Sequence, residues 1–90
     1  MRIVNIDGSN LADEADFWSE YLRVVRPEGS EFFGRNLVAF RDAITAGGPG
    51  YPAPCQLRIL NHRASALSPA FLSAIVEVES ESTEFQIELA

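Results

Sequence analysis

The chain has 90 residues, and its content of 47% hydrophobic and 22% charged residues is typical of one globular domain rather than of a disordered acidic tail. Thirteen acidic residues against seven basic ones give a net charge of −6, which argues against nucleic acid as a partner because phosphate binding needs a basic surface. A single cysteine excludes an intramolecular disulfide, and no segment has the roughly 20 consecutive apolar residues of a membrane span.

The N-terminal part of the chain predicts a strand followed by a helix. Residues 2–6, RIVNI, form a β-branched run that ends in the turn formers of residues 7–10. This start lacks the apolar core of a signal peptide, so we expect a cytoplasmic protein. Asp13 is placed to cap a helix that ends before Pro27 and Gly29. The apolar residues that recur at helical spacing within it are Phe17, Trp18, Tyr21, Leu22 and Val25.

The middle of the chain predicts a second helix, a loop and a second strand. Asn36 is a good helix cap, and Leu37, Phe40 and Ile44 fall on one face of the helix that follows it. Residues 47–54, GGPGYPAP, can neither continue a helix nor form a central strand. Residues 55–60, CQLRIL, alternate apolar and polar side chains, as a half-buried strand does.

The last third of the chain predicts a third helix and a third strand, which complete one α/β domain over residues 1–90. Ser68 and Pro69 suit the cap and the first position of a helix, and Leu67 can pack against it as a hydrophobic staple. Residues 85–89 alternate apolar with polar side chains in the closing strand. The order strand-helix-helix-strand-helix-strand favours three parallel strands with the helices mainly on one face of the sheet, which gives two layers.

The residues with catalytic or metal-binding chemistry form no recognisable site in the sequence. Cys55 and His62 lie at opposite ends of one strand region, about 23 Å apart if it is extended, so they cannot act as nucleophile and base. One cysteine and one histidine cannot build a zinc site, and the acidic residues lack calcium-loop spacing. We therefore expect no enzyme activity, no metal and no cofactor. The C-terminal acids are interpreted as a solvated face, formed by Glu77, Glu79, Glu81, Glu84 and Glu88.

The segment EFFGRNLVAFRDAI, residues 31–44, carries side chains that a core does not need. At 100° per residue, Val38, Asp42 and Thr45 lie away from the apolar face of the second helix, so Asp42 points outward. Phe32 and Phe33 precede this helix, and the pattern allows them to be either exposed interface anchors or core residues.

The run FFGRNLVAFRDAI, together with Tyr51-Pro52 and the closing EFQIELA, resembles the barstar family of ribonuclease inhibitors. The hallmark of that family is an aromatic pair, Gly, any residue, Asn-Leu, and a helix that ends in Asp-Ala and an aliphatic residue. The resemblance covers nearly the whole chain, and it implies a barstar-like fold. It further implies an immunity protein, monomeric when free, that occludes the active site of a cognate secreted ribonuclease or toxin domain, which we expect to be basic.

The resemblance also implies which residues contact that partner. Asp42 matches the outward acid that takes the enzyme pocket for a substrate phosphate, where its carboxylate meets basic side chains. Phe32 and Phe33 stand where the family has two tyrosines. The other positions that match family contacts are Gly34, Asn36, Thr45 and Glu77.

Three positions of this surface depart from the family pattern. Val38 stands where the family has an acid, Arg41 where it has a tryptophan, and Arg35 where it has another acid. A second interface tryptophan is replaced by the glycine stretch that begins at Gly47. These changes make the surface less negative, and they leave open an alternative function, a protein-interaction module of the same fold that binds a non-ribonuclease partner or toxin.

Overall fold

The computed structural model describes residues 2–27, 29–52, 54–79 and 85–90, and it has an α/β fold with three parallel strands and three helices. The parallel sheet and the α/β class predicted from the sequence are confirmed. The strands are β1 (Arg2–Asp7), β2 (Cys55–Leu60) and β3 (Phe85–Leu89). The helices are α1 (Glu14–Val25), α2 (Leu37–Ala46) and α3 (Pro69–Glu79), and short 3-10 turns occur at Gly8–Asn10, Ser30–Phe32 and His62–Ala64.

The sheet has one apolar and one polar face. Its strand order is β1-β2-β3, and the register aligns Val4 with Leu57 and Leu57 with Ile87 on the side that faces the core. On the opposite side Arg58 lies between Asn5 and Glu88, and its Nε donates to the Glu88 carboxylate at 2.7 Å. Polar side chains on this side remain in water, as expected for a sheet that is covered on one face.

Aromatic side chains from all three helices and from β3 form the centre of the core. The Trp18 ring of α1 lies 5.4 Å from the Phe40 ring of α2 and 5.7 Å from the Phe71 ring of α3, measured between centroids. Phe85 of β3 contacts Phe40 edge to face at 6.0 Å. Such pairs contribute about 0.5–1.5 kcal/mol each beyond the area they bury. The Trp18 ring therefore joins α1 to both other helices, while α2 and α3 also pack directly against each other.

Each helix begins at the capping residue that the sequence predicts. The Asp13 carboxylate accepts from the Asp16 amide at 2.9 Å, and the Asn36 Oδ1 accepts from the Ala39 amide at 2.8 Å. The Ser68 hydroxyl oxygen accepts from the Phe71 amide at 3.1 Å. These bonds satisfy amides at the helix start that have no partner within the helix.

The two loops that flank α2 meet at one place, which we call the α2 junction and define as Tyr21, Phe33 and Gly50. The buried Tyr21 hydroxyl donates to the Gly50 carbonyl oxygen at 2.9 Å. Gly50 has a φ of +93°, and a Cβ built on it overlaps the Phe33 ring, so only glycine fits. The junction therefore fixes both ends of α2 to α1.

We predict that Tyr21→Phe lowers the free energy of unfolding by about 1–2 kcal/mol at pH 7, because the buried Gly50 carbonyl loses its donor. Burial also raises the pKa of the Tyr21 phenol in the folded protein. The unfolded phenol ionises near pH 10 while the folded one stays protonated, so wild-type stability should fall above about pH 10. Tyr21→Phe should not show this loss of stability above about pH 10. Urea unfolding between pH 7 and pH 11 can measure the difference.

Tyr51→Phe is the matched control for this experiment, and it should keep the steep fall above about pH 10. Burial raises the pKa of the Cys55 thiol as well, so an earlier decline from about pH 8.5 should persist in both variants. An unchanged decline above pH 10 in Tyr21→Phe would contradict the role given to this hydroxyl.

Candidate functional site

Helix α2 divides its side chains between the core and the solvent. Phe40, Ala43 and Ile44 are buried, whereas Asp42 and Thr45 are exposed and Val38 keeps 82% of its surface accessible. The prediction that Val38, Asp42 and Thr45 lie on an outward face is confirmed. A valine this exposed is unusual on a helix that buries Phe40 and Ile44, because exposing an apolar surface to water costs free energy.

The aromatic pair before α2 is split between surface and core. Phe32 is 74% exposed, while Phe33 is 6% exposed and lies 5.6 Å from the Trp18 ring. The prediction of an exposed ring is confirmed for Phe32 and wrong for Phe33, which takes the core position that the pattern also allowed. The 3-10 turn Ser30–Phe32 explains the difference, because it turns the next side chain inward onto Gly50. Of the two rings, only that of Phe32 is exposed to solvent.

The loop between this turn and α2 exposes Gly34, Arg35 and Asn36. Arg35 has a φ of +53°, a left-handed conformation that costs a residue with a Cβ about 1 kcal/mol. The Asn36 amide is occupied internally, because its Nδ2 donates to the Gly34 carbonyl at 3.1 Å while its Oδ1 caps α2. The Asn36 side chain therefore holds this loop and caps α2 at the same time.

The exposed side of α2 and the neighbouring side of α3 enclose an open groove of about 240 Å³. Three of the residues predicted to contact a partner line this groove: Val38, Arg41 and Glu77. Its remaining lining is aliphatic and consists of Leu37, Ala74 and Val78. The fold thus brings Glu77 of α3 beside Val38 and Arg41 of α2. The spacing of Ala74 and Val78, one helical turn apart and flanking Glu77, is the sequence signal that could have identified the second wall.

Asp42 lies outside this groove, on the adjoining part of the α2 surface. The residue precedes the last turn of α2, which ends at Ala46, and a carboxylate near the negative end of a helix dipole gains nothing from it. In the part of the chain that the structure describes, no cation forms an ion pair with the Asp42 carboxylate. Its position therefore has no evident benefit for folding.

The residues considered for catalysis are not assembled into a site. Cys55 is buried in β2, and burial raises the pKa of its thiol, which disfavours the reactive thiolate. His62 lies in the turn after β2, with its Nδ1 3.0 Å from the Ala90 carbonyl oxygen. Across residues 2–27, 29–52, 54–79 and 85–90, no group of three or more His, Cys, Asp or Glu side chains could hold a metal ion.

The predicted acidic face is divided between different parts of the molecule. Glu77 lies on α3 beside the groove, and Glu88 lies on the polar face of the sheet, paired with Arg58. Glu81, Glu84 and the side chain of Glu79 lie outside the described residues. The helices that the structure describes include none long and apolar enough to cross a membrane.

No protein-family model matches this chain, and no curated protein matches it in sequence. A function must therefore be argued from the surface formed by α2, its preceding loop and the groove beside α3.

Proposed function

We propose that this protein is an inhibitor that occludes the active site of a cognate basic ribonuclease, with the Asp42 carboxylate in place of a substrate phosphate. The observation that carries the proposal is the placement of Asp42, which is exposed on α2 without an ion pair among the described residues. An acid in that position does little for the stability of α2 and is available to a partner. The resemblance of residues 32–44 to the barstar family supplies the class of partner.

Electrostatics supports a basic partner. The chain carries a net charge of −6, and a protein of this charge attracts a basic enzyme and accelerates their encounter. At contact, the cationic side chains that hold phosphate in a ribonuclease would bind Asp42 through charge-assisted hydrogen bonds, which are short and about twice as strong as neutral ones. The acid then occupies the pocket that the RNA backbone needs, and catalysis is blocked by exclusion.

The surface around Asp42 offers contacts that would surround this anchor. Phe32 presents an aromatic ring on the approach to α2, and Thr45 lies about one turn beyond Asp42 on the outward face. Gly34 and Arg35 add an exposed backbone and a cation on the same loop. Interfaces commonly combine a central charged or aromatic anchor with such a rim of weaker contacts that exclude water.

The groove between α2 and α3 favours a second candidate function, a module that binds a non-ribonuclease partner or toxin. Val38 is 82% exposed at its edge, and Leu37, Ala74 and Val78 continue an aliphatic surface into it. Arg41 adds a cation to the same groove. A partner that places an apolar side chain in the groove would pack it against Val38. The cations of a strongly basic active site would make no favourable contact with this valine.

We predict that Asp42→Asn weakens inhibition at least about thirtyfold, because the amide keeps the shape of the side chain and removes the charge that the enzyme's cations bind. The free energy of unfolding should change by no more than about 0.5 kcal/mol, since the side chain is exposed. The assay titrates each variant against a small secreted basic ribonuclease from the same cell, with cleavage of a fluorescent RNA as readout.

Glu14→Gln is the matched control, because it removes the same charge from an exposed position on α1. Its inhibition should stay within about twofold of wild type, which separates a specific anchor from the effect of net charge. If Asp42→Asn inhibits as well as Glu14→Gln, Asp42 is not the phosphate mimic.

Substitutions of Val38 distinguish the two candidate functions. We predict that Val38→Asp increases affinity for the ribonuclease about threefold at low salt, because it adds a negative charge one helical turn before Asp42. The like-charged pair should lower the stability of α2 by no more than about 0.5 kcal/mol. Val38→Asn, which is polar but uncharged, should leave affinity unchanged. Equal losses of affinity in both variants would instead favour a partner that needs the apolar surface.

A further inference from the structure

The Asp42 carboxylate lies against the backbone of Gly48, in the loop that follows α2. A Cβ built on Gly48 would lie 2.5 Å from the Asp42 Oδ2 and 3.4 Å from its Cγ. Contacts below 3.0 Å essentially do not occur for real Cβ atoms, so any other residue at this position has to displace the carboxylate. Oδ2 occupies the space that a side chain at position 48 would fill.

Backbone conformation does not account for the glycine at position 48. The left-handed φ angles of this loop belong to its neighbours, Gly47 at +72° and Gly50 at +93°. A Cβ built on Gly47 would have no atom within 4 Å. Gly47 instead caps the C-terminal end of α2, where its amide donates to the Ala43 carbonyl oxygen at 3.1 Å. Gly48 is distinguished from both by the carboxylate that fills its side-chain position.

The backbone of Gly48 is held in place by the α2 junction. Its carbonyl oxygen accepts from the Tyr51 amide at 3.1 Å, which closes a turn over residues 48–51. Gly50 lies within that turn and is bonded to the Tyr21 hydroxyl. The surface against which the carboxylate rests is therefore a fixed part of the fold.

We propose that Gly48 is a positioning residue for Asp42, which sets the side-chain rotamer that the partner meets by leaving room for Oδ2 beside the helix end. This inference rests on the proposed function, in which Asp42 is the anchor. A carboxylate on a short side chain moves at small cost, so a methyl group at position 48 redirects Asp42 without disrupting the fold. Charge-assisted binding depends on geometry, and a displacement of about 1 Å is enough to weaken it severely.

Gly48→Ala and Gly47→Ala test this with opposite expected signatures. Gly48→Ala should weaken inhibition of the basic ribonuclease about tenfold while the Tm stays within about 2 °C of wild type. Gly47→Ala should lower the Tm by about 4 °C, because alanine is strained at a φ of +72°, and leave inhibition unchanged. Inhibition by Gly48→Ala equal to that of wild type would overturn the proposal.

A double-mutant cycle shows whether Gly48 acts through Asp42. In the background of Asp42→Ala, the substitution Gly48→Ala should have no further effect on inhibition, because the group that it displaces is gone. An undiminished tenfold loss in that background would overturn the proposal, since Gly48 would then act on the partner directly.

The Asp42 rotamer gives a readout that does not depend on any partner. Three-bond coupling constants should show a different χ1 for Asp42 in Gly48→Ala and the wild-type χ1 in Gly47→Ala. If Asp42→Ala fails to weaken inhibition, the proposed function is wrong, and the χ1 comparison still decides whether Gly48 sets the rotamer. An unchanged χ1 in Gly48→Ala would overturn the positioning role.

Discussion

The hydrogen bond from the Tyr21 hydroxyl to the Gly50 carbonyl, beneath the Phe33 ring, is the interaction on which the surface of α2 depends. It joins the loop before α2 and the loop after it to the most buried part of α1. Helix α2 has only ten residues, too few for much stability in isolation, so its orientation comes from what it packs against and from the loops at its ends. Packing in the core therefore determines the orientation of the helix face that carries Asp42.

The same junction links the core to the chemistry of the surface. Gly48 and Gly50 belong to the same turn, and the Asp42 carboxylate packs against the Gly48 backbone. At the other end of the helix, Asn36 caps α2 and bonds to Gly34. An exposed carboxylate is ordinarily mobile. Here hydrogen bonds hold the loops at both ends of the helix that carries Asp42. Such preorganisation lowers the entropy lost when a charged side chain binds a partner.

The sequence predicts correctly those features that depend on residues close together in the chain. The caps at Asp13, Asn36 and Ser68 and the outward face of α2 follow from residues within one or two turns of each other. The different burial of Phe32 and Phe33 cannot be predicted in this way. Phe33 is buried against Gly50, which lies in the loop after α2. The groove likewise depends on how α2 and α3 pack: the spacing of Ala74 and Val78 marks one wall, but it does not show which helix lies opposite. The contact of Gly48 with Asp42 depends on the path that the chain takes after α2.

The claim that Asp42 takes the place of a phosphate can be tested by competition with inorganic phosphate. Affinity for the basic ribonuclease can be measured as phosphate replaces chloride at constant ionic strength, so that general screening is held fixed. We expect wild-type binding to weaken as phosphate rises, and binding of Asp42→Ala, which leaves the pocket open to phosphate, to respond much less. Wild-type binding that does not respond to phosphate would contradict the claim.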